Sequence, residues 1–205
     1  MTPPVASIIA RQNWIFDLDG TLTLPVHDFA AIRNALGIPA GRDILGYLSA
    51  LPEDEARPLH SRLNAIEDGL AEITEPALGV QALVERLHRR GTRLGVLTRN
   101  TRENALRTLE LIGVGQFFPE PVVLGRDQAL PKPEPDGVRQ LARLWGAQPE
   151  ELVMVGDYRF DLEAGRAAGA ATVHVDRTRA FPWPELADLA VGSLAELVDL
   201  LPAGR

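Results

Sequence analysis

Asp17 and Asp19 stand one residue apart, closing the apolar run Trp14-Ile15-Phe16 and leading into Gly20-Thr21. Charged side chains are costly to bury, so two carboxylates at the end of a buried strand point to a metal or a catalytic task. Gly20 permits the sharp exit such a site needs. Two more carboxylates, Asp157 and Asp161, occur in Val153-Met154-Val155-Gly156-Asp157-Tyr158-Arg159-Phe160-Asp161, again after an apolar run. A helix starting near Arg159 would place Asp161 in its first turn, facing back toward Asp157. Between these pairs, Leu94-Gly95-Val96-Leu97-Thr98-Arg99-Asn100 ends a run on a hydroxyl. Just ahead of a helix N-terminus, that hydroxyl and the free N–H groups beside it suit an anion. Pro131-Lys132-Pro133-Glu134-Pro135 holds one lysine among prolines, whose fixed φ presents the ammonium in a defined direction. Each feature alone has a plain structural alternative: an Asp-Gly turn, a helix cap, a solvated lysine. The downstream features weigh the first pair toward chemistry.

The elements that must position these groups alternate. Short apolar runs at 14–18, 93–98, 121–124, 152–155 and 172–175 read as strands, each followed by a helical pattern. Residues 77–90 read as a helix stopped by Gly91. Asn100 with Glu103 forms a capping box for a helix ended by Gly113, and Ser193 with Glu196 a second one for the last helix. Alternating strands and helices predict an α/β fold, a Rossmann-like parallel sheet with helices on both faces. Ligands of such sheets sit beyond the carboxyl ends of the strands, where Asp17, Asp19, Thr98 and Asp157 fall. Residues 25–76 contain no strand-like run. Their stripes, Phe29-Ile32-Leu36, Leu45-Leu48 and Leu59-Leu63-Ile66-Leu70, read as a small all-helical insertion. The expected organisation is therefore a core of residues 1–24 and 77–205 with a helical cap subdomain at 25–76, able to close over the site beside Asp19.

Composition narrows the partners. With 205 residues, 45% of them hydrophobic, the chain has enough material for one sizeable core. A formal net charge of −7 argues against nucleic acid and against anionic membrane. An anionic substrate then needs a local positive device, such as a metal or a lysine. The absence of cysteine excludes disulfides, thiolate catalysis and Cys-based zinc sites. Without a secretory pattern at residues 1–12 or an apolar run long enough to span a bilayer, a cytoplasmic protein is expected.

Asp17-x-Asp19-Gly20-Thr21, Thr98, Lys132 and Gly156-Asp157-x-x-x-Asp161 resemble, in order, the four motifs of the haloacid dehalogenase-like hydrolases. The helical insertion resembles the small cap of the phosphoglycolate phosphatase-like subgroup, and the likeness spans essentially the whole chain. The resemblance implies a phosphatase. In it Asp17 is the nucleophile that forms an aspartyl-phosphate, and Asp19 is the general acid for the leaving alcohol and then the base for water. It implies Mg²⁺ held by Asp17, the backbone carbonyl of Asp19, and Asp157, with Asp161 coordinating or supporting. Thr98 and the N–H of Arg99 would bind phosphate oxygens, and Lys132 would pair with Asp17 and the phosphoryl group. Related phosphatases often carry Asn where this chain has Arg99, which keeps the backbone contact and leaves the side chain free to face solvent. Dehalogenase-like members lack a carboxylate at the place of Asp19, because halide leaves without a proton and an alkoxide does not.

The implied substrate is a small phosphorylated metabolite, phosphoglycolate-like at the family level. A phosphosugar mutase of the same architecture would use Asp17 and Asp19 equally, and a non-catalytic binding domain would need neither. In the insertion, His27, Arg33 and Arg42 are candidates for contact with a substrate carboxylate or second phosphate. Trp14, Trp145 and Trp183 read as packing residues, and His60, His88 and His174 as structural or surface groups. A monomer and a homodimer are equally compatible with so small a cap.

Overall fold

The computed structural model describes residues 3–202. Helix α1 (Val5–Ile9) leads into strand β1 (Asn13–Phe16), and helices α2 (Phe29–Leu36), α3 (Ile44–Ser49) and α4 (Glu53–Ala71) follow with no strand between them. The chain continues through α5 (Val80–Arg89), β2 (Arg93–Leu97), α6 (Arg102–Leu111), β3 (Val123–Leu124), α7 (Asp136–Trp145) and β4 (Leu152–Gly156). It ends with α8 (Arg159–Ala168), β5 (Ala171–Val175), β6 (Leu189–Val191) and α9 (Leu194–Leu200). All strands pair in parallel, in the order β3-β2-β1-β4-β5-β6.

This sheet is what the apolar runs dictate: strands covered on both faces read as continuous hydrophobic segments. β1, β4 and β5 are buried at every position. On one face Trp14, Phe16, Val96, Val153 and Val155 pack with Leu83, Val84 and Leu87 of α5, Leu109 of α6 and Leu197 of α9. On the other, Ile15, Leu97 and Met154 meet Val138 and Leu141 of α7 and Ala164 of α8. β1 lies between β2 and β4, with Phe16 opposite both Val96 and Val155. The carboxyl ends of three neighbouring strands are thereby level, at the place where the strand order reverses and a crevice opens.

Helices α2, α3 and α4 bury their stripes against one another. Ile32, Leu36, Ile44, Leu45, Leu48 and Leu63 form a cluster separate from those of the sheet. Asp28 caps α2 by accepting from the backbone N–H of Ala30 and Ala31, and Asp43 caps α3 by accepting from Gly46. The helical block leaves and re-enters the sheet domain side by side. Leu24 N–H donates to Glu75, Ala77 N–H donates to Leu22, and Thr23 bridges Pro76 in antiparallel sense.

Several expectations need adjustment. The first strand stops at Phe16 because the chain turns through Leu18–Leu22. The run at 121–124 narrows to Val123–Leu124, since Pro121 lies in a short 3₁₀ turn. The helix sought at 77–90 begins only at Val80, after Gly79. The cap of α6 is Thr101, whose hydroxyl accepts from Asn104 N–H; Asn100 is engaged elsewhere. The box at Ser193 does not form, because Glu196 turns to Arg179 and to Gly192 N–H. Strand β6 and helix α1 had no clear signal, being three and five residues long.

Candidate active site

Asp17 follows β1, Asp157 follows β4, and Asp161 lies in the first turn of α8. One carboxylate oxygen from each lies within 4.8 Å of the others, an oxygen-only group able to hold a hard divalent cation. Two glycines allow this convergence. Gly20 takes φ +88°, and a Cβ there would sit 2.3 Å from Asp157 Oδ2. A Cβ on Gly156 would sit 2.2 Å from Asp161 Cβ. Any side chain at either position would push a carboxylate out of the cluster. Asp161 Oδ2 also accepts from Tyr158 N–H at 3.0 Å, and Thr21 donates its hydroxyl to Asp157 Oδ1 at 3.3 Å.

Lys132 enters the same cluster from the proline-framed loop. Its Nζ lies 2.5 Å from Asp17 Oδ1 and 2.6 Å from Asp161 Oδ1, and donates to the carbonyl of Leu97 at 2.7 Å. The side chain is 2% exposed, so all three ammonium protons are used within the protein. Burial opposes its charge, but Asp161 and Asp17 outweigh burial and raise its pKa above the usual lysine range.

Asp19 stands at the rim. Asn100 Nδ2 donates to its Oδ2 at 2.8 Å, which is why Asn100 does not cap α6. Its Oδ1 lies 3.7 Å from His27 Nδ1. Burial, then the charges of Asp17 and Glu67, push the Asp19 carboxyl up to about 8. The shift favours the protonated carboxyl over the carboxylate. Burial followed by Asp17 and Asp161 raises Asp157 to about 8, and burial, opposed by Lys132, raises Asp161 to about 6. Asp157 and Asp161 thus resist full ionisation together, and a bound cation would relieve that resistance.

Thr98 follows β2, its N–H bound to Leu124 and its hydroxyl accepting from Asn100 N–H at 3.1 Å. The Arg99 side chain does not face solvent. Its Nη2 donates to both oxygens of Asp43, at 2.7 and 2.8 Å, and its guanidinium lies 4.8 Å from the Phe160 ring centroid. The attraction of a carboxylate at the cap of α3 and of an aromatic face accounts for this orientation. Arg126 completes the loop support. It donates to the Arg99 carbonyl at 2.6 Å while gripping Glu67 bidentately, at 3.0 and 2.6 Å, and Asn64 of α4 at 2.7 Å.

Asn100, Thr21, Arg126 and His174 are participants that sequence reasoning did not assign to the site. His174, buried on β5, has its Nε2 3.3 Å from the Asp157 carbonyl and steadies the turn after β4. Thr21 sits within the first motif, and the Asx position of Asn100 is a cap signal that serves two purposes. Nothing local marks Arg126, whose partners on α4 lie 59 and 62 positions earlier. Arg42 is exposed, and neither it nor Arg33 forms an ion pair among the described residues, whereas His27 lies against a site carboxylate.

The same parallel-sheet architecture occurs in known structures. A hydrolase from Pseudomonas syringae superposes with a TM-score of 0.74 at 23% identity, covering 92% of this chain and 98% of that one. The haloacid dehalogenase-like hydrolase family matches residues 27–175, and the chain belongs to it. The chain is 30% identical to the uncharacterized hydrolase YOR131C of Saccharomyces cerevisiae, over 91% of its own length and 89% of the relative's. It is 32% identical to a phosphoglycolate phosphatase of Chromobacterium violaceum, over 92% of its own length and 96% of the relative's.

Proposed function

We propose that this hydrolase is an Mg²⁺-dependent phosphatase that cleaves a phosphomonoester of a small metabolite through an aspartyl-phosphate on Asp17. The observation that carries the reading is Lys132 Nζ between Asp17 and Asp161 in one buried cluster, with the Asp19 carboxyl held by Asn100 at its edge. Asp17, Asp157 and Asp161 offer hard oxygen ligands suited to Mg²⁺, and the family resemblance adds the Asp19 carbonyl. When bound, the ion supplies charge that offsets repulsion between a carboxylate nucleophile and a phosphate dianion.

The residues divide the work. A carboxylate oxygen of Asp17 attacks phosphorus, and the bond from phosphorus to the ester oxygen breaks. The proton of Asp19 passes to that departing oxygen, so the alcohol leaves neutral. Asp19, now a carboxylate, takes a proton from the attacking water, whose oxygen displaces Asp17 from phosphorus and frees inorganic phosphate. Thr98, the N–H of Arg99 and Lys132 balance charge on the phosphoryl oxygens in both steps. Residues 25–76 act as the cap, and their contacts with the loop after β2 close the site from water. The similarity to a phosphoglycolate phosphatase supports a substrate of that size.

The test is phosphate release from a panel of phosphorylated sugars, glycolate, nucleotides and amino acids, with and without Mg²⁺. Wild type is expected to release phosphate from at least one ester only with the ion, and Asp17→Asn from none. Isomerisation without release would make the protein a mutase. Equal inactivity of both forms across the panel would remove catalysis from the reading.

A further inference from the structure

His27 lies in the linker between Leu24, tied to Glu75, and Asp28, the cap of α2, so both ends of its segment are fixed. Its ring stacks on Phe29, with centroids 5.6 Å apart and planes 19° from parallel. The side chain is nine-tenths buried, yet Nδ1 has no hydrogen-bond partner among the described residues. At 3.7 Å the Asp19 Oδ1 is too far to serve as one. A buried polar nitrogen without a partner is disfavoured, which gives this atom a reason to meet a ligand.

The location says which part of a ligand it meets. Asn100 occupies Asp19 Oδ2, so Oδ1 is the oxygen left to hand a proton to the ester oxygen. That ester oxygen sits about 2.7 Å from Oδ1 when the transfer occurs. An oxygen on the adjacent carbon of the leaving group lies about 2.9 Å further on in a gauche arrangement, and a hydrogen bond from there spans about 2.9 Å to a ring nitrogen. Those three links close a ring whose fourth side is the 3.7 Å between Oδ1 and Nδ1. We propose that His27 is a specificity-determining residue whose Nδ1 hydrogen-bonds a hydroxyl or carboxylate oxygen borne on the carbon next to the ester carbon. The preferred substrates are phosphomonoesters with such a neighbouring oxygen. This rests on the phosphatase reading for the placement of the ester.

The measurement compares 2-hydroxyethyl phosphate with n-propyl phosphate, which match in size and charge and differ in one hydroxyl. In wild type, kcat/KM is expected to favour the hydroxyethyl ester about tenfold, the weight of one hydrogen bond to a buried group. His27→Phe, which keeps the stack on Phe29, brings the ratio to within about twofold, and His27→Asn, which retains a polar atom near Nδ1, restores most of it. A ratio near one in wild type, or a preference that survives in His27→Phe, overturns the proposal. Calorimetric binding of both esters to Asp17→Asn, with and without His27→Phe, separates the two ideas. A His27-dependent binding preference without turnover keeps the proposal and sinks the phosphatase. Turnover of both esters without the preference does the reverse. Binding of neither ester overturns the proposal, while the phosphatase reading stands or falls on the wider panel.

Discussion

Replacing Lys132 by Met removes the only cation paired with Asp17 and Asp161 among the described residues, while keeping most of the side-chain volume. Two carboxylates at 2.5 and 2.6 Å then lose their counter-charge in a buried site, and the Leu97 carbonyl loses a donor. Breaking a buried pair by removing one partner costs about 3–5 kcal/mol. For a chain of this size each kcal/mol moves the melting midpoint by roughly 2–4 °C, so a fall of roughly 6–20 °C is expected at pH 7.5 without metal. The fall should be smaller at pH 5, because Asp161, raised to about 6, is then largely protonated and needs no counter-charge. Phosphate release should drop by about 10²–10³, the range for losing one preorganised charge partner of a transition state. Calorimetric melting at both pH values and a release assay on the same preparation measure all three effects. A midpoint shift under about 2 °C at pH 7.5, or an equal shift at both pH values, would refute the claim that Lys132 neutralises this cluster.

The metal-free protein should lose stability as pH rises from 5.5 to 8.5. Asp157 and Asp161 bind protons more tightly folded than unfolded, so the native state holds more protons than the unfolded chain between the ordinary carboxylate range and about pH 8. Mg²⁺ should raise the midpoint more at pH 8.5 than at 5.5, since protons compete for the same oxygens; a larger effect at low pH, or a slope unaltered in Asp157→Asn, would contradict this. Arg126→Leu strands Glu67 without its bidentate partner, which should cost about 3–5 kcal/mol in denaturant unfolding. It should also raise KM by loosening the Arg99 carbonyl, an effect absent if the pair only holds α4 in place.

The legible parts of this molecule were those where a local pattern and a chemical demand coincide. Phe16-Asp17 and Val155-Gly156-Asp157 are apolar runs ending on a carboxylate, and neighbouring parallel strands of similar length bring such ends together without further information. Asp161 followed from helical geometry once a start near Arg159 was assumed, and α8 begins there. Asn100 was misread because an Asx residue before a helix has two uses, and only the third dimension shows that Asp19 claims its amide while Thr101 takes the cap. Strand β6 is three residues at a half-exposed edge, too short for a period to declare itself.

The joints between the helical block and the sheet were not legible at all, and the reason is general. Asp43–Arg99, Glu67–Arg126, Asp68–Asn104 and Glu72–Arg107 each join a polar face of the inserted helices to a residue more than thirty positions later. Hydrophobic periodicity reports which side of a helix is buried but not what its polar side meets. Charged residues on α4 look like a solvated face until α6 and the loop after β3 are brought against them. Two of these contacts, through Arg99 and Arg126, reach the loop that also carries Thr98 and Asn100. The part of the chain least readable from its pattern is therefore the part that touches the loop of Thr98 and Asn100, and under the proposed function a shift of the inserted helices would pull on that loop.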